Sequence, residues 1–109
     1  MIEIHAIDGI NCPILICDVC GERIQDASKA AIVFDNFQPN GSRVKALSVH
    51  KGNIDGKTCH HEAELIIASG GGRAGWEELK AALTDLSSNV GFPASEMAKY
   101  DANRKRSAE

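Results

Sequence analysis

The chain predicts a small α+β fold, and three features carry that expectation. Short β-branched runs fill the first half, "PILIC" at 13–17 and "AAIVF" at 30–34. A turn-rich "QPNGS" at 38–42 then leads into the alternating "RVKALSVH" at 43–50. Beyond residue 58 the period changes, and apolar residues recur at steps of three and four.

Taken in order, "MIEIHAIDGI" offers a short amino-terminal strand carrying His5. Residues 13–17 form a strand that runs into a pair of cysteines. Residues 30–34 and 43–50 form a β-hairpin, because Pro39 fixes φ while Asn40 and Gly41 accept positive φ in the connection. "KGNIDGK" at 51–57 reads as a loop. Thr58 is placed to cap a helix whose Ala63, Ile66 and Ile67 share helical spacing, and the glycines at 70–72 end it. Trp76, Leu79, Leu83, Leu86 and Val90 predict the clearest helix, with Glu77 and Glu78 in a first turn that suits acidic residues. Gly91 and Pro93 close it, and a weaker helix follows over about 94–104. The organisation expected is one domain over 1–92 and a helical or flexible basic tail over 93–109.

A chain of 109 residues has room for one small core. Hydrophobic content of 43% beside 25% charged residues excludes a disordered chain. Aromatics reach only 5%, so the core is aliphatic and light, the kind that needs a staple. No basic segment precedes an apolar run at the amino end, and nothing approaches the roughly 20 apolar residues of a membrane span. A cytoplasmic location is therefore expected, without membrane contact. There thiols stay reduced, and the four cysteines read as metal ligands or reactive thiols before disulfides. The net charge of −3 opposes general attraction to nucleic acid, with "NRKR" at 103–106 the local exception.

"ICDVCGERI" at 16–24 is where the pattern points to chemistry. A C-x-x-C turn directs two thiolates to one point, and Gly21 allows the positive φ that lets backbone amides approach the sulfurs. Zn2+ takes four such donors in a tetrahedron. The second pair comes from His50, at the end of the hairpin, and Cys59, at a helix start that favours a thiolate. The candidate ligands are Cys17, Cys20, His50 and Cys59, with His60 and His61 as alternatives to His50.

On "CDVCG" and "VHKGNIDGKTCHH" the chain resembles the treble-clef arrangement of LIM-like zinc modules: a cysteine turn, a hairpin, then a helix whose first turn supplies a ligand. It is also similar to small uncharacterised bacterial proteins that pair an "ICDVCG"-like turn with a later "HKG…C" segment. The resemblance spans residues 15–69, and eight residues separate His50 from Cys59, more than in the tightest versions. It implies a zinc module; four available ligands close the site, so the zinc is expected to be structural and function to lie in surfaces, as a protein-interaction or regulatory module.

Other chemistries have weaker support. Cys12, Cys17 and Cys20 make C-x4-C-x2-C, the start of an iron–sulfur spacing, but "PILI" between them reads as a strand rather than a cluster loop. Cys12 is instead expected to be a small buried hydrophobe. A redox dithiol would open a helix inside a βαβ unit, which "GERIQDA" does not match. Glu62, Glu64 and Asp55 raise the question of a metal-assisted base, yet "HHEAE" lacks the H-E-x-x-H spacing and "SGGGRAG" lacks the ending of a phosphate loop. No enzymatic activity is expected. An unidentified protein partner is the first expectation and nucleic acid the alternative. The Trp76 helix is the expected surface for self-association.

Overall fold

The computed structural model describes residues 1–36, 43–52 and 58–107, and the side chains up to residue 103 within them. It is a mixed α+β structure with two antiparallel sheets and three helices. The first sheet is a hairpin of β1 (Ile2–Ile7) and β2 (Ile10–Leu15), paired from Ile2 opposite Leu15 to Ile7 opposite Ile10. Asp8 and Gly9 turn the chain with φ of 51° and 78°. This "DG" pair between alternating residues is the short hairpin signal of a turn with two positive φ values.

The second sheet has the order β4-β3-β5, with β3 (Ala30–Asp35) between β4 (Ala46–His50) and β5 (Ala74–Glu78). The expected hairpin forms between β3 and β4, in a register that sets Ala30 opposite His50 and Phe34 opposite Ala46. Its connection at 38–42 lies outside the described residues, as do 53–57 of the next loop, Asp55 included. Arg43, Val44 and Lys45 precede the strand rather than forming part of it.

Helix α1 (Cys59–Ser69) follows Thr58, whose side chain makes no capping bond. Gly70 to Gly72 end it as expected: their N–H groups take carbonyls from Ile66, Ile67 and Ala68, and Gly71 holds φ at 86°. Helices α2 (Leu79–Asn89) and α3 (Ala94–Ser107) meet at Gly91 (φ 77°), Phe92 and Pro93.

One element differs from expectation. Trp76, Glu77 and Glu78 belong to β5, not to the helix, which begins only at Leu79. Trp76 stands opposite Val33 of β3 and is half exposed, its ring edge-on to His60 at 5.0 Å. The step of three from Trp76 to Leu79 falls in helical phase by coincidence. The open edge of β3 offers this segment a full ladder, and tertiary pairing overrides local periodicity. Its glycine serves that pairing. A Cβ on Gly75 would lie 2.7 Å from the Cβ of Asn36, at the end of β3. Gly75→Ala is therefore expected to lower stability by about 1–3 kcal/mol, read as a lower denaturation midpoint at constant slope.

Val33 and Val49 are fully buried at the centre of the core, with Cys17, Leu47, Cys59, Ala63 and Leu79 around them. Ala30 and Ala31 are also fully buried; adjacent strand residues face opposite sides, so the sheet is covered on both faces at this end. α1 and α2 both pack on β3. Among the described residues, no helix is long and apolar enough to cross a membrane.

Candidate metal centre

The end of the sheet where β3 begins and β4 finishes also gathers the cysteine turn and the start of α1. "CDVC" bends after β2, with Gly21 at φ 76° donating its N–H to the Cys17 carbonyl at 3.0 Å. Ile16 bridges Arg23 across the bend, and Cys17 N–H donates to Glu22 O at 2.9 Å. The turn is fastened to β4 by Asp18. Its N–H donates to Ser48 O at 2.8 Å, while its carboxylate accepts from Ser48 N–H at 2.8 Å and from the Ser48 hydroxyl at 3.2 Å. This clamp fixes both cysteines against the strand that carries His50. Nothing in the spacing of the sequence pointed to it, because residues 18 and 48 acquire a relation only through the fold.

The structure brings the Sγ atoms of Cys17, Cys20 and Cys59 and a ring nitrogen of His50 within 4.8 Å of one another. Cys17 and Cys59 are buried to 1% exposure, while Cys20 and His50 are half-buried. Cys20 Sγ lies 3.4 Å from His50 Nδ1. On the far side of the ring, His50 Nε2 lies 3.3 Å from the Arg23 carbonyl. A carbonyl only accepts, so Nε2 is the donor there, and in the neutral ring that leaves the Nδ1 lone pair facing Cys20 Sγ. That is the arrangement by which a backbone partner orients a ligating histidine.

The thiols are electrostatically unequal. Burial opposes ionisation of Cys17, but N–H groups of Cys20, His50 and Val19 converge on its sulfur and, with the Cys20 side chain, hold its pKa down at about 7. Burial pushes Cys59 up to about 12, and the adjoining Cys17 and Cys20 side chains add to the rise. Three thiolates crowded into one buried pocket repel each other, and a divalent cation reverses that penalty. The dimensions also suit one. A tetrahedron with metal–sulfur bonds of about 2.3 Å has edges of about 3.8 Å. The group needs to contract by only about 1 Å at its widest to meet it. The four donors fit a metal ion.

The remaining candidates lie elsewhere. Cys12 sits on β2 opposite His5, half-buried rather than buried as expected, its thiol directed to Ile10 O at 3.6 Å. His5 is bonded to Glu3 at 2.9 Å on the same hairpin. His60 turns from the sulfurs onto Trp76, with Nε2 buried, 3.7 Å from a Glu64 carboxylate oxygen and without a hydrogen-bond partner among the described residues. His61 is exposed on the first turn of α1. Glu62 lies on that turn and Glu64 further along the helix, outside the group of four.

Comparison with protein-family models, with curated proteins and with solved structures finds no match for this chain.

Proposed function

We propose that this chain is a small zinc-binding module whose Zn2+ is structural, held by Cys17, Cys20, His50 and Cys59, and that it acts by protein interaction or regulation rather than catalysis. The observation that carries the reading is the convergence of three sulfurs and one oriented imidazole nitrogen within 4.8 Å. Three thiolates and an imidazole are a common donor set of structural zinc, and four protein donors leave no open position for a substrate or an activated water. Cys12 is outside the group, which favours zinc over a four-thiolate iron–sulfur cluster. The succession of cysteine turn, β3–β4 hairpin and α1 with Cys59 at its first position supports a treble-clef type of module. The net charge of −3 weighs for a protein partner over nucleic acid.

Metal analysis of the purified chain tests this. One zinc per chain is expected, in a colourless protein, lost in Cys17→Ala and kept in Cys12→Ala. Iron with visible absorbance, or zinc lost on replacing Cys12, sinks the assignment.

A further inference from the structure

The two edges of the three-stranded sheet differ. On β4 the N–H and C=O of Ser48 turn away from β3 and are bonded by Asp18. This orientation sets the phase of both ladders, because alternate residues of a strand point their backbone groups to opposite sides. Ile32, opposite Ser48, therefore points its backbone groups toward β5, and Phe34 and Asn36 follow. Asn36 N–H donates to Arg73 O at 2.7 Å, in keeping with that phase. Ile32 stands opposite Glu77 and Phe34 opposite Gly75. Glu77 and Gly75 thus direct their backbone groups to β3. Those of Ala74 and Trp76, and the N–H of Glu78, face outward, while the Glu78 carbonyl opens α2.

Among the described residues, no backbone hydrogen bond joins Ala74 or Trp76 to a segment other than β3. The edge has no proline, no lysine and no bulge, the usual blocks to strand addition. Trp76, the single tryptophan of the chain, lies at its centre and is 46% exposed. Both charges on the strand are carboxylates. Glu78 is held by Lys51 Nζ at 2.6 Å, whereas Glu77 has no ion pair among the described residues.

We propose that the outer edge of β5 takes up an extended, cationic segment of a partner protein as an added antiparallel strand. Its main chain pairs with Ala74, Trp76 and Glu78, and a lysine or arginine stands across from Glu77. In such strand addition the main-chain bonds give affinity and alternate side chains give selection. Residues directly opposite one another come within about 5 Å at Cβ, so an ion pair can choose the sign of the incoming strand. A second copy of β5 would bring only further carboxylates, so the charge argues for a different chain. The proposal rests on the protein-interaction reading above and gives that interaction its surface. It does not involve the metal, since no ligand lies on β5.

Titration of the full, zinc-loaded chain with two end-blocked peptides tests it, one alternating valine with lysine and the other valine with glutamate. Trp76 emission reports contact at the edge. Saturable binding of the lysine peptide below about 1 mM is expected, with the glutamate peptide at least about tenfold weaker. Glu77→Lys is expected to reverse that preference. Ala74→Pro removes an outward N–H at the first residue of an edge strand, where proline is tolerated. It is expected to weaken the lysine peptide at least about tenfold, with zinc content and circular dichroism unchanged. If that variant misfolds, the reversal in Glu77→Lys decides alone. Failure of both peptides to bind, or equal binding of the two, overturns the proposal. So does binding that survives Ala74→Pro, which keeps a protein partner but moves it off this edge. A response to a DNA oligonucleotide and to neither peptide fails the protein-interaction reading itself.

Discussion

Chelation of the metal from the purified chain is expected to abolish its cooperative thermal transition. The proposed ligands tie three separate segments together: the turn at Cys17 and Cys20, the end of β4 at His50 and the start of α1 at Cys59. Structural zinc sites bind with about 10–16 kcal/mol of apparent free energy. That matches or exceeds the whole net stability of a typical domain, about 5–15 kcal/mol. Without the ion, Cys17 and Cys59 remain at the centre of the core with their sulfurs in contact, one inclined to ionise near neutrality and the other resisting it. The metal-free chain and Cys59→Ala are expected to behave alike, with near-ultraviolet dichroism lost, and added zinc is expected to restore only the former. A chelated chain that still melts sharply within a few degrees of the loaded one would falsify a structural role.

Leu79→Ala is expected to cost about 2–5 kcal/mol, the range for truncating a buried leucine. Leu79 opens α2 and is its only buried residue, at 3% exposure, in the same core as Val33 and Ile24. The helix that begins here has no side-chain cap, so its attachment rests on this contact more than on its own amino terminus. Leu86→Ala, at a site 55% exposed, is expected to change the folding of the single chain by less than about 1 kcal/mol. Urea midpoints at fixed protein concentration and full zinc occupancy separate the two. Equal losses would show that α2 is held by its whole apolar stripe, not by its first residue.

What could be read in the sequence was what depends on neighbours along the chain. The C-x-x-C turn with Gly21, the β3–β4 hairpin and the helix ended by Gly70 to Gly72 each follow from local chemistry. The group of four candidate donors was reachable because each sits at the end of such an element. β5 was not reachable: "AGWEE" has no strand alternation of its own and owes its conformation to the free edge of β3. The exposure of Cys12 was missed for a related reason, since a hairpin standing away from the core leaves a small apolar residue only half covered. His50 was separated from His60 by a carbonyl and an indole, Arg23 O and Trp76, and neither relation exists in one dimension.

Asp18 does for β4 what a fourth strand would do. Ser48 turns its N–H and C=O outward from the sheet, and the cysteine turn occupies both. Release of that turn bares a sheet edge beside Leu47 and Val49, a template on which another chain can add. A metal ion held by the four donors would keep the turn in place, and so would also guard this edge against aggregation.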